Sequence, residues 1–234
     1  MTLNLLRCFR LATVSLSLAA SAGGAVHAAQ DNPHPGIRAM LGATPVDHLD
    51  PRTTALVIID FQREYFSGRM PIPDGQRAMD NAQQLLAFAD RHRIPVFQVQ
   101  HVAPAGAAVF AIDGEIVAFQ PGMVPRQHDV VLRKATVSVF ASTDLDQRLK
   151  AMGVKTIVVA GLMTHACVAG AARDAVPLGL HVVVASDASA TRAITRADGR
   201  TIGKDALHEA ALAEIEDTFG DVMTTTAITH LPLR

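Results

Sequence analysis

Six short runs dense in valine and isoleucine, at 54–59, 95–99, 129–132, 156–160, 181–185 and 221–224, alternate with stretches whose apolar residues recur at helical spacing. A strand buried on both faces needs a continuous apolar run, whereas a strand with one wet face alternates. Between these runs, 75–92 sets Met79, Ala82, Leu85, Leu86 and Ala89 along one helix face, and 144–152 groups Leu145, Leu149 and Met152. Segments 167–178 and 204–219 supply two more helices, the first closing at Pro177 and Gly179. This alternation predicts an α/β domain with a mostly parallel six-stranded sheet and helices on both faces. Ligands meet such sheets beyond the carboxyl ends of the strands. The stretch 102–126, with several Pro and Gly residues, reads as a long loop over that edge.

Ahead of this pattern, Arg7 and Arg10 precede an uncharged Leu-, Ala- and Ser-rich stretch that starts at Leu11 and reaches Val26-His27-Ala28. This is the layout of a secretory signal peptide over residues 1–28. Its second half is Ala, Gly and Ser with little Leu or Ile, which favours cleavage near Ala28 over a retained anchor. The expectation is an exported protein, periplasmic or secreted, with no stable membrane insertion after cleavage. Residues 29–52, rich in Pro, Gly, Asp and His, read as an extended arm, and 53–234 as one folded domain with a single core.

Cleavage removes Cys8 and leaves Cys167 as the only cysteine, so no internal disulfide is available. An unpaired thiol in an oxidising compartment needs shielding or a use. Loss of Arg7 and Arg10 takes the formal charge from −1 to −3. With no basic stripe and no zinc-type Cys/His spacing, the chain is not expected to bind nucleic acid.

Three reactive groups fall at predicted strand ends. Asp60 follows Leu56-Val57-Ile58-Ile59, where a carboxylate must be paired, functional or a turn cap. Arg133 and Lys134 follow the third strand, so that one can point inward while the other meets solvent. Cys167 ends the run Thr156-Ile157-Val158-Val159-Ala160-Gly161-Leu162-Met163-Thr164-His165-Ala166, at the start of a helix. Helix N-termini favour thiolate over thiol, although a lone cysteine is also commonly a small buried hydrophobe. A thiol, a carboxylate to accept its proton and a cation to hold both would form a nucleophilic site.

Over about residues 54–226 the chain resembles the isochorismatase-like cysteine hydrolases, a family that includes nicotinamidases and ureidoacrylate and maleamate amidohydrolases. The motifs are Leu56-Val57-Ile58-Ile59-Asp60-Phe61-Gln62, then Lys134-Ala135-Thr136-Val137-Ser138-Val139-Phe140 with Thr143-Asp144-Leu145, then Gly161-Leu162-Met163-Thr164-His165-Ala166-Cys167-Val168. The resemblance implies a three-layer, Rossmann-like isochorismatase-like fold and a catalytic triad of Asp60, Lys134 and Cys167. It also implies a non-proline cis peptide at Leu162-Met163 and an oxyanion hole from the Met163 and Cys167 N–H groups.

The implied reaction is cleavage of a C–N bond in a small amide through a Cys167 thioester. Asp60 serves as base and then acid, and Lys134 lowers the thiol pKa. Gln62, Tyr65, Phe66, Phe140, Thr164 and His165 are candidate pocket residues. His165 is expected to be a polar contact rather than a second base, and Asp187 a cap or loop organiser. Nicotinamidases bind a metal through an Asp/His cluster after the first motif. The matching stretch here, 67–75, holds one Asp and no His, so neither metal nor other cofactor is expected. True isochorismatases lack the cysteine. The alternatives are a hydrolase of a non-amide bond and an inactive small-molecule binding or assembly protein on the same fold. Relatives suggest a homo-oligomer.

Overall fold

The computed structural model describes residues 33–234. The leader and Cys8 lie outside the described residues. The strands are β1 (Thr54–Ile59), β2 (Val96–His101), β3 (Val130–Lys134), β4 (Thr156–Leu162), β5 (His181–Ala190), β6 (Ile194–Thr195), β7 (Thr201–Ile202) and β8 (Asp221–Met223). The helices are α1 (Ile37–Met40), α2 (Gly75–His92), α3 (Leu145–Ala151), α4 (Ala169–Ala175), α5 (Lys204–Thr218) and α6 (Thr225–Thr229).

Six strands form one sheet in the order β3-β2-β1-β4-β5-β8, every pair parallel, while β6 and β7 make a separate two-residue antiparallel hairpin. The chain steps outward from β1 to β2 and β3, then returns to β4 on the other side of β1. Strand order therefore reverses between β1 and β4, opening a crevice at their carboxyl ends.

Period-two alternation along β1 builds both apolar layers. Leu56 and Ile58 pack with Leu85 and Phe88 of α2 and Ile228 of α6. Ala55, Val57 and Ile59 face the other way, onto Leu145 and Leu149 of α3, Ala171 and Ala172 of α4 and Ile215 of α5. All six β1 residues are buried, and each buried Val, Leu or Ile contributes roughly 1.5–3 kcal/mol. The small residues of α4 pack in the same layer as Ile157 and Val159 of β4 and Val182 and Val184 of β5.

Four strands run further than their apolar runs suggest: β2 continues to His101, β3 to Lys134, β4 to Leu162 and β5 to Ala190. Helix α6 and the β6/β7 hairpin are also additions to the sequence reading. The arm is not simply extended, because it carries the helical turn α1. Arg38 Nη1 donates to Gly220 O and to Asp221 Oδ1, and Val46 N donates to Asp221 Oδ2. Leu49 pairs with Leu233, so the segment is stitched along the β8 side of the sheet.

Candidate active site

Asp60 is the first residue beyond β1 and is fully buried. Its backbone adopts φ 55°, a left-handed conformation that Asp tolerates better than most residues. This turns the chain sharply out of the strand while Asp60 N still donates to Val99 O. Directly across the crevice, Gly161 pairs with Ile59. A Cβ on Gly161 would lie 2.3 Å from Ile59 O, so only glycine allows the two strands to close just below the site.

Lys134 ends β3 and points inward with no exposure, whereas Arg133 lies at the surface and bonds Gln100. Its Nζ is 2.7 Å from Asp60 Oδ2, 2.8 Å from His101 Nδ1, 3.2 Å from Thr136 O and 3.3 Å from Cys167 Sγ. Three groups 33 or more positions apart in the chain thus meet around one ammonium. The Asp60 contact is an ion pair off the hydrogen-bond direction, leaving both carboxylate oxygens without an aligned donor. That leaves the carboxylate open to a proton from the thiol.

Cys167 is 5% exposed. It sits not in the first turn of an α-helix but in a π-helical turn, Thr164–Val168, that leads into α4. Such turns are frequent at functional sites. The Leu162-Met163 peptide preceding it is cis. Among the described residues, the Met163 N–H donates to no other group.

Burial pushes the Cys167 thiol up to about 12, and the neighbouring Asp60 charge adds to it, outweighing the Lys134 cation. Lys134 lowers the thiol as expected, but the net shift is upward because burial and Asp60 outweigh it. Burial also raises Asp60 above the ordinary carboxylate range, against the pull of Lys134. His101 is pushed down to about 4, first by burial and then by the Lys134 charge. A neutral imidazole accepts at Nδ1 from the ammonium, which has only hydrogens to offer.

The candidate pocket residues divide. The Gln62 amide is wholly occupied: Nε2 donates to His101 O and Val117 O, and Oε1 accepts from His101 N. It fastens the strand ends to the loop over them. Phe66 packs over Gly75 and the α2 layer, and Phe140 against the α3/α4 layer, both only partly buried. Tyr65 is buried with its ring edge on Phe110. Thr164 Oγ1 meets His208 Nδ1 of α5 at 2.9 Å, and His165 Nδ1 meets Thr191 Oγ1 at 2.6 Å. Both threonine contacts hold the turn that carries Cys167. Asp187 Oδ1 accepts from Thr225 N and Oγ1, a cap on α6. Among the described residues, no three His, Cys, Asp or Glu side chains cluster as metal ligands, and no helix is long and apolar enough to cross a membrane.

His101 and Thr191 were absent from the sequence reading. The signal for His101 was the one used for Asp60, a titratable residue closing an apolar run.

Residues 54–227 match the isochorismatase domain model. The chain is 34% identical to the secreted isochorismatase effector Isc1 of Verticillium dahliae, over 80% of this chain and 96% of that protein. It is 31% identical to the maleamate amidohydrolase of Pseudomonas putida, over 74% and 84% of the two chains. The crystal structure of an isochorismatase from Pseudomonas putida KT2440 superposes with a TM-score of 0.77 at 28% identity, over 83% of this chain and 99% of that one. The chain belongs to the isochorismatase family of hydrolases.

Proposed function

We propose that the chain hydrolyses the carbon–nitrogen bond of a small amide through a thioester on Cys167. The observation that carries this reading is the convergence of Asp60, Lys134 and Cys167 on one buried point, with Nζ 2.7 Å from the carboxylate and 3.3 Å from the sulfur. Kinship with a maleamate amidohydrolase supports the amide class.

A thiol held at about 12 holds little thiolate at neutral pH, so its proton leaves as the sulfur attacks. Asp60 takes that proton, and the S–C bond forms. The Met163 and Cys167 N–H groups receive the tetrahedral oxyanion. Asp60 returns the proton to the nitrogen as the C–N bond breaks and the amine departs. Asp60 then deprotonates a water that attacks the thioester, and the acid leaves with the thiol restored. Lys134 holds Asp60 in place and faces the sulfur as charge develops there.

The same reading makes the mature enzyme an exported protein, supported by the leader pattern and by a relative described as secreted, and we propose that it is a homo-oligomer. Ammonia release from a panel of small primary amides, ureido acids and imides tests the activity. Turnover by the mature protein and its loss in Cys167→Ala, with the fold retained by circular dichroism, is expected. Wild-type rates in Cys167→Ala would overturn the mechanism. An intact protein that binds these compounds without cleaving any would be a binding protein instead.

A further inference from the structure

The chain leaves β2 at His101 and folds back through residues 103–112 to set a phenylalanine on the ring it has just left. The neck of this loop is closed by Ala103 N donating to Phe110 O at 2.8 Å and Ile112 N donating to Ala103 O at 3.0 Å. At the neck Phe110 adopts φ 54°, a left-handed conformation that a bulky residue keeps only where its surroundings impose it. Two sets of contacts do so. The Phe110 ring is 5% exposed, and its centroid lies 4.9 Å from that of His101 and 5.3 Å from that of Tyr65, at tilts of 60° and 67°. The Phe110 N–H donates to Glu64 Oε2 at 3.5 Å. Glu64 is itself buried, and its Oε1 accepts from Arg69 N at 2.6 Å. One enclosed carboxylate, unused in the hydrolysis, thus ties the turn after β1 to the loop after β2.

The ring that Phe110 covers has a defined task to perform. His101 Nδ1 accepts from Lys134 Nζ at 2.8 Å, which requires a neutral imidazole in one orientation. Water on a half-buried imidazole would offer it other partners and favour its protonation, and an imidazolium has no lone pair for the ammonium. The ionisable groups around this ring are the Lys134 ammonium, which also meets Asp60 and Cys167, and the Tyr65 and Glu64 groups that touch Phe110. Burial is the first cause of the low basicity of His101, and Phe110 supplies part of that burial.

We propose that Phe110 is a positioning residue for the hydrolysis: it covers the His101 ring, keeps water from it and fixes it as the acceptor of the Lys134 ammonium, with Glu64 holding Phe110 in place. The proposal rests on the amidase reading, because its effect reaches the reaction through the ammonium that faces the nucleophile.

Phe110→Gly removes the ring and suits the positive φ, whereas Phe110→Leu keeps an apolar cover. Phe110→Gly should lower kcat about three- to tenfold near neutrality with little change in KM, and Phe110→Leu should recover most of the loss. The kcat profile of Phe110→Gly should gain an inflection between about pH 5 and 6.5 that is missing both from the wild type and from Phe110→Gly/His101→Ala. In the His101→Ala background, Phe110→Gly should cost less than about twofold, since both residues act by one route. A full additive loss there, or a profile unaltered by Phe110→Gly, would overturn the assignment. NMR titration of the His101 ring reads the cover without turnover: about 4 in the wild type, and closer to the ordinary 6.5 in Phe110→Gly. Equal titration in the two proteins sinks the proposal whether or not any amide is cleaved. If no amide is cleaved, the amidase reading fails, and a raised titration in Phe110→Gly still upholds Phe110 as the cover of His101. Should Phe110→Gly fail to fold, Phe110→Asn, which tolerates the same backbone, takes its place in each measurement.

Discussion

Lys134 Nζ lies 2.8 Å from His101 Nδ1, and the ammonium is the donor to an uncharged ring. His101 titrates near 4 rather than its ordinary 6.5, because burial and the Lys134 charge both oppose a second cation. The ring is therefore neutral from about pH 5 upward and cannot serve as a proton donor near neutrality. In the proposed mechanism it orients Lys134. His101→Ala should lower kcat about tenfold, the worth of one charge-assisted hydrogen bond, with a smaller change in KM. Steady-state profiles between pH 5 and 9 should show no inflection at 6.5. Since the folded-state pKa lies below the unfolded one, the stabilisation is full above pH 6.5 and declines as pH falls toward 4. Urea melts of wild type and His101→Ala should converge over that interval.

Asp60 raises the thiol pKa through its own charge and, in the proposed mechanism, also receives the proton. Asp60→Asn removes that charge, so hydrolysis and thiol acidity should move in opposite directions. Turnover should fall by about 10²-fold or more. Iodoacetamide should meanwhile modify Cys167 at lower pH than in the wild type, whose thiol should show no titration step near 8–9. Slower alkylation in Asp60→Asn at every pH would contradict this account.

The Asp60–Lys134 pair has no solvent exposure on either side. Removing the cation alone strands a buried carboxylate, which costs about 3–5 kcal/mol. Chemical denaturation of Lys134→Met should show a loss in that range together with loss of turnover. The double variant Asp60→Asn/Lys134→Met should recover more than half of the stability and none of the activity, separating the two roles.

Gly161→Ala tests the closure of β1 on β4. The new methyl would meet backbone rather than a movable side chain, at 2.3 Å from Ile59 O, and φ is +152°. A loss of at least about 3 kcal/mol is expected, because the strands must part to admit it. Activity should fall with stability, as the parted strands carry Asp60 and the nucleophile's turn.

Strands such as β1 and β4 could be read from the chain because burial on both faces leaves no room for polar residues. Residues 186–190 of β5 escaped that reading, since Ser186-Asp187-Ala188-Ser189-Ala190 lacks apolar density; the main chain there is placed by β4 through the Gly161↔Ser189 and Leu162↔Ala190 pairs. A two-residue hairpin such as β6/β7 has too few positions to show a period. Asp60, Lys134 and Cys167 were visible as reactive types at strand ends. The bonds of Gln62 could not be read from the chain because its partners are main-chain groups 39 and 55 residues away, which composition does not encode. The thiol's acidity was misjudged for a related reason: a sequence displays the cation beside the sulfur but not the depth of its burial.

An ammonium has three hydrogens, and the Lys134 nitrogen faces a carboxylate, an imidazole, a peptide oxygen and a sulfur. One neighbour must always go without, and here it is the carboxylate, held by charge alone while the sulfur already has a hydrogen. When negative charge gathers on that sulfur, the hydrogen facing it is in place beforehand and no backbone need be displaced. Oversubscription at one nitrogen thus lets a rigid, dry pocket meet a new charge without moving.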